Sequence, residues 1–187
     1  MTHIYFVRHA EPNYRNHDDM SRELSPRGLE DRKLVTAFLM DKGVTAVLSS
    51  PYRRAVDTVR DFADTVRLPI VHITDFRERR VDDCWIDDFD AFARRQWADF
   101  DYHLSGGESL REVQERNVAA LQRVLREYDG QSVAIGGHGT AISAVLNYFD
   151  PDFGYDQFES IRRLMPWIVR LDFDGKTFVG YEPFPLK

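Results

Sequence analysis

Residues 3–9 read His3-Ile4-Tyr5-Phe6-Val7-Arg8-His9. Ile4 to Val7 is an unbroken apolar run, too short for a helix, that stops at a charged pair. Continuous rather than alternating apolarity predicts a central strand covered on both faces. A polar stretch from Glu11 to Glu23 follows and reads as a loop. Ser25-Pro26 then carries a helix-start signal, a capping hydroxyl followed by proline at the first helical position, and Leu29, Val35, Phe38 and Leu39 supply an apolar stripe up to Gly43. Val44–Leu48 predicts a second buried strand. Ser50-Pro51 repeats the cap signal and opens a helix with Ala55, Val56, Val59, Phe62 and Ala63 inside, and Pro69–Ile73 predicts a third strand. Strand, helix, strand, helix, strand points to an α/β protein, a three-layer α/β/α sandwich with a mostly parallel sheet.

Beyond this core the rhythm breaks. Residues 76–107 are crowded with charge and aromatics, which predicts an excursion containing a helix. Phe89, Phe92 and Trp97 have near-helical spacing and read mainly as core, with one or two rings left for the mouth of a site. Glu108–Tyr128 predicts a long amphipathic helix, Ser132–Ile135 a buried strand, and Thr140–Tyr148 another helix. Trp167–Phe173 and Thr177–Tyr181 alternate around Asp174-Gly175, a hairpin signal. No 20–50-residue repeat and no Pro/Gly-rich linker divides the chain, so residues 1–187 are expected to form one domain, with an insertion at about 75–107.

Composition excludes several classes. Thirteen Phe, eight Tyr and three Trp in 187 residues rule out a disordered chain. A formal net charge of −6 argues against a general nucleic-acid binder while leaving room for a local basic pocket. Cys84 is the single cysteine and cannot form an internal disulfide, which favours a reducing compartment. No apolar run approaches the roughly 20 residues of a membrane span, and Arg8 interrupts the apolar start before it could serve as a signal peptide. A cytoplasmic protein with no membrane partner is expected.

In open α/β sheets, ligands gather beyond the carboxyl ends of the strands. Three strand ends here carry chemistry-bearing residues: Arg8-His9 after the first, Ser49-Ser50-Pro51-Tyr52-Arg53-Arg54 after the second, and His138 after the later one. Two histidines and several arginines converging on one edge suit an anion, phosphate above all.

On these residues the chain resembles the histidine phosphatase superfamily, also called phosphoglycerate mutase-like. The resemblance rests on Phe6-Val7-Arg8-His9-Ala10-Glu11, Leu24-Ser25-Pro26-Arg27-Gly28, Leu48 to Ala55 with Thr58, Gly106-Gly107-Glu108-Ser109 and Gly137-His138-Gly139, in the family's order from residue 3 to about 145. It implies a phosphomonoesterase that works without metal or cofactor on a small phosphorylated substrate and releases inorganic phosphate. His9 would be the nucleophile, forming a phosphohistidine. Arg8 and Arg54 would clamp the phosphoryl oxygens, with Arg54 preferred to Arg53 because the family's arginine directly precedes the alanine. His138 would donate a further hydrogen bond, and Gly137 and Gly139 would let the backbone come close to the site.

The resemblance also implies a glutamate as general acid after the third strand. Phe76-Arg77-Glu78 matches, with Asp82 and Asp83 as competing carboxylates and Glu11 as a remote one. Two departures stand out. Ala10 replaces a usual glycine and would be strained if that position required positive φ. Arg15 stands where an Asn often lies, and would either contact an anionic substrate or sit in solvent; Gly139 is the other expected substrate contact. The rival activities are phosphoryl transfer of the phosphoglycerate mutase type, in a chain shorter than the family's cofactor-dependent mutases, and non-catalytic binding of a phospho-ligand on the same fold. His17-Asp18 would suit a metal phosphohydrolase but lacks a second histidine-rich cluster.

Overall fold

The computed structural model describes residues 1–186. The amino-terminal apolar run forms β1 (Thr2–Arg8). It is followed by α1 (Pro26–Leu39), β2 (Val44–Ser49), α2 (Arg53–Val66), β3 (Ile70–His72), α3 (Phe89–Ala98), α4 (Leu110–Glu127), β4 (Ser132–Gly137), α5 (Gly139–Phe149), α6 (Tyr155–Ile161), β5 (Trp167–Asp174) and β6 (Thr177–Pro185). The six strands make one sheet in the order β3-β2-β4-β1-β5-β6. The first four in that order run parallel, while β5 and β6 are antiparallel additions beside β1.

Alternation along β1 divides the core. Tyr5 and Val7 face a cluster with Val35 and Leu39 of α1 and Val59 and Phe62 of α2. Ile4 and Phe6 face the opposite cluster, which contains Leu121 of α4, Ile142 of α5 and Phe158 of α6. A strand buried on both sides therefore needs apolar residues at every position, which is what the run from Ile4 to Val7 supplies. The result is an α/β/α sandwich. No helix among the described residues is long and apolar enough to cross a membrane.

This layering also places a crevice. The helix after β1 covers one face of the sheet, and the helix after its neighbour β4 covers the other. The chain thus leaves adjacent strand ends in opposite directions, the switch point at which ligands settle in such sheets.

Several details differ from the sequence reading. Ser25 caps α1 as expected, its Oγ accepting the Gly28 amide at 3.0 Å, but Leu29 of the expected stripe is 40% exposed. Ser50 does not cap α2. Its Oγ accepts the Tyr52 amide at 3.2 Å, forming a local turn that delays the helix until Arg53. α6 was not foreseen, since seven residues are too few for a 3.6-residue period to show. The hairpin does turn at Gly175, whose φ of 57° favours glycine.

Candidate active site

Four of the expected residues meet at the carboxyl edge of the sheet. Arg8 ends β1, and its buried Nη1 donates to the carbonyl oxygens of Ile161 (2.6 Å), Arg162 (2.7 Å) and Leu164 (3.3 Å). These bonds tie it to the end of α6 and leave its buried Nε without a partner. Burial pushes the guanidinium down to about 10, which keeps it charged at neutral pH. Gly139 makes room for it, because a Cβ there would lie 2.8 Å from Arg8 Nε. Gly139 is thus a spacer for Arg8, and it is not among the residues that line the cleft. Gly137 is not under the same demand, since a Cβ there would meet Ile142 Cδ1 at an ordinary 3.5 Å.

The ring of His9 is oriented by its own backbone. Nδ1 lies 2.8 Å from the carbonyl oxygen of Ala10. A carbonyl only accepts, so Nδ1 carries the proton and Nε2 keeps its lone pair. Burial, with the charges of Arg54 and Arg8, holds His9 well below the ordinary histidine range. The imidazole is neutral at pH 7. The backbone after it is pinned by Thr58, whose Oγ1 accepts the Ala10 amide at 3.0 Å and donates to Arg54 O at 2.7 Å. Ala10 is not at positive φ; Arg67 is the one non-glycine residue there among the described residues. The glycine-to-alanine departure therefore carries no strain.

Arg54 and Arg53 have separate fates. Arg54 is 3% exposed and points into the crevice, donating to Asp19 O (2.6 Å) and Asp19 Oδ1 (3.0 Å). Arg53 faces out and pairs with Asp57 at 3.4 Å. His138 is fully buried, with its ring centroid 5.5 Å from that of His9. Its Nε2 lies 2.8 Å from Ser50 Oγ, and its Nδ1 has no partner. Burial, then the Arg54 charge, holds this ring below the usual range as well.

Glu78 lies across the crevice. Its Oε1 accepts the amides of Arg79 (2.8 Å) and Ala141 (3.0 Å), and Oε2 accepts that of Thr140 (3.1 Å). The carboxyl thus sits on the first turn of α5, where the helix dipole favours it. Its rivals Asp82 and Asp83 line the same cleft, where Asp82 Oδ1 accepts the Gly106 amide at 3.0 Å and the exposed Asp83 pairs with Arg80 at 2.5 Å. Arg116 of α4 holds the segment bearing Glu78, donating to the carbonyls of Asp75 (2.7 Å), Arg77 (2.8 Å) and Glu78 (3.2 Å). Glu108 fixes Arg116 in turn through two bonds of 2.9 Å. Burial works to raise the Glu108 carboxyl, but the Arg116 hydrogen bond with its other partners outweighs this and holds it below its usual range.

Residues 4–180 match the family model of the histidine phosphatase superfamily (branch 1). The chain belongs to that superfamily. Among relatives, the uncharacterized phosphatase PhoE of Bacillus subtilis is 25% identical over 177 residues, covering 92% of this chain and 89% of that protein. The metal-independent phosphoserine phosphatase of Arabidopsis thaliana is 26% identical over 160 residues, 78% of this chain and 67% of that protein. In fold, YhfR of Bacillus stearothermophilus superposes with a TM-score of 0.78 at 23% identity, covering 96% of this chain and 95% of that one. Chemistry in this superfamily runs through a phosphohistidine.

The histidine phosphatase cleft has a volume of about 800 Å³, and Arg8, His9, Arg54 and Glu78 all line it, while His138 is fully buried in edge contact with His9. Arg15 does not line it. The Asn13 side chain accepts the Arg15 amide at 3.1 Å in a local turn, and Arg15 is exposed. Arg22, which the sequence reading missed, reaches the cleft instead and donates to Asn16 O at 2.7 Å. The mouth is closed on one side by His17, stacked on Trp85 at 4.1 Å and 11°, while Asp18 accepts the Ser21 amide at 2.9 Å. No group of three or more His, Cys, Asp or Glu that could hold a metal ion occurs among the described residues.

Proposed function

We propose that this histidine phosphatase hydrolyses small phosphomonoesters through a phosphohistidine on His9, without a metal ion. His9 Nε2 attacks phosphorus as the bond to the leaving oxygen breaks, and Glu78 gives that oxygen a proton. Arg8 and Arg54 neutralise the phosphoryl oxygens as their charge develops, and His138 offers its unpaired Nδ1 to the same group. Glu78 then takes a proton from water as the water attacks phosphorus, releasing inorganic phosphate and restoring neutral His9.

The observation that carries this reading is the Nδ1–Ala10 bond, which leaves Nε2 of a neutral ring free beside two buried arginines. Residues 1–187 act in this reading as one phosphatase domain, with the excursion at about 75–107 serving as the insertion that shapes the mouth. Residues 78–86 line the cleft, in keeping with that role. Purified protein is expected to hydrolyse p-nitrophenyl phosphate at the same rate with and without a chelator. Loss of activity on chelation, restored by a divalent ion, would overturn the metal-free mechanism.

A further inference from the structure

Which nitrogen of a neutral imidazole carries the proton is set by what each nitrogen meets. For His9 the Ala10 carbonyl decides it. For His138 the neighbour is a hydroxyl, Ser50 Oγ, 2.8 Å from Nε2, and a hydroxyl can donate or accept. The surroundings of Ser50 remove that ambiguity. Ser50 and His138 are both fully buried. The Tyr52 amide already donates to Ser50 Oγ, at 3.2 Å. Among the described residues, His138 Nε2 is the one acceptor that Oγ meets. The Ser50 backbone is fixed as well, its amide donating to Gly136 O at 2.9 Å and its carbonyl accepting Ser49 Oγ at 2.8 Å.

Two proton assignments can therefore be compared. With the proton on Nε2, the ring would donate to Oγ and the buried Ser50 O–H would have no acceptor. Nδ1, which has no protein partner, would then turn a bare lone pair toward the phosphoryl oxygens. Both consequences are unfavourable in a buried site. With the Oγ proton donated to Nε2, every group is used. Oγ accepts from Tyr52 and donates to the ring, and Nδ1–H is left free as a donor. Burial, and then the nearby charge of Arg54, opposes a second proton on the ring.

We propose that Ser50 is the positioning residue of His138: its hydroxyl donates to Nε2, fixes the Nδ1–H tautomer and so makes the ring a donor to the phosphoryl group. The tautomer stands on the hydrogen-bond geometry, while its use in catalysis rests on the phosphatase reading above. The two histidines then hold the same tautomer but present opposite nitrogens. His9 offers a bare Nε2 that attacks, and His138 an Nδ1–H that stabilises. A donor preset in this way need not reorganise as charge develops on the phosphoryl oxygens.

Long-range proton–nitrogen correlation spectra of protein labelled in its histidine rings read the tautomer without turnover, because bare and protonated ring nitrogens resonate far apart. The signals missing from His138→Gln assign the ring. At neutral pH the wild type is expected to show a protonated Nδ1 and a bare Nε2, and Ser50→Ala a mixture of tautomers. A wild type with the proton on Nε2, on both nitrogens or divided between them would overturn the proposal, whatever became of the phosphatase reading. That spectrum decides the tautomer even if Ser50→Ala fails to fold. Kinetics then tests its use. Ser50→Ala should lower kcat on p-nitrophenyl phosphate by about 3–12-fold, the scale of one neutral hydrogen bond. In a His138→Gln background the same change should stay within about twofold, since Ser50 acts through the ring. Equal losses in the two backgrounds would show that Ser50 serves only the turn at Tyr52, and would overturn its role toward His138.

Discussion

Arg8, His9, Arg54 and His138 stand where β1, β4 and α2 end or begin, so their backbones are held by the sheet, whereas His17, Arg22, Arg80 and Trp85 hang from two loops that meet through side chains. The first group is almost closed from solvent, and each of its side chains is oriented by at least one hydrogen bond, to a backbone carbonyl, to Asp19 or to Ser50. In the second, Trp85 is 53% exposed and its contacts are a ring stack and an arginine 5.7 Å away. Groups that perform chemistry must be placed within a fraction of an ångström, and rigid elements do that. A mouth that sorts substrates can be built from loops. Substitutions in the pocket should therefore act on the chemical step, and those at the mouth on binding.

Among substitutions that leave the nucleophile in place, the largest effect is expected at Glu78, which belongs to the pocket although a loop carries it. Glu78→Gln keeps the shape but cannot pass a proton, so alkyl phosphates should slow by about 10²–10⁴-fold. The first step on an aryl phosphate, whose leaving oxygen needs little protonation, should suffer less. Equal and mild losses for both leaving groups would move the acid role to Asp82 or Asp83 and break the comparison at its junction.

An intermediate effect comes from the two buried histidines. His9 and His138 remain neutral in the folded protein while the unfolded chain takes up protons below about 6.5, so folding stability should fall as pH drops below that value. Each contributes up to about 1.4 kcal/mol per pH unit until its depressed folded value is reached. Urea midpoints measured between neutral and mildly acidic pH read this directly. A flat profile across that window would mean that the pocket rings are not held neutral.

The smallest effect is expected at the mouth. Trp85→Ala removes the stack on His17, worth about 0.5–1.5 kcal/mol, and should raise KM by roughly 2–12-fold with kcat nearly unchanged. A large fall in kcat would show that the mouth is part of the chemical machinery after all.

Arg8, His9 and His138 were legible in the sequence because they sit at strand ends, where short apolar runs announce their own termination, whereas Glu78 and the choice of Arg54 over Arg53 came from the family resemblance. Arg8-His9 after Val7 and His138 after β4 needed no knowledge of tertiary contacts. The mouth was not legible. Arg22 displaced Arg15 because side chains of Asn13 and Asn16 turn the loop between them, and no periodicity records such a turn. Arg79 reads as one of several charges in a polar run, and only the packing of Phe89, Phe92 and Gln96 makes it a buried cation. Ser50 had the right chemistry for a cap and was taken by His138, which lies 88 residues away in the chain.

The central claim is a covalent phosphoryl group on His9. Rapid mixing with radiolabelled aryl phosphate, quenching in base and peptide mapping tests it most directly. The account predicts an acid-labile, base-stable label on His9, accumulating in Glu78→Gln because the second step lacks its base, and absent from His9→Ala together with turnover. Full hydrolytic activity in His9→Ala, with no label on any histidine of the wild type, would contradict it.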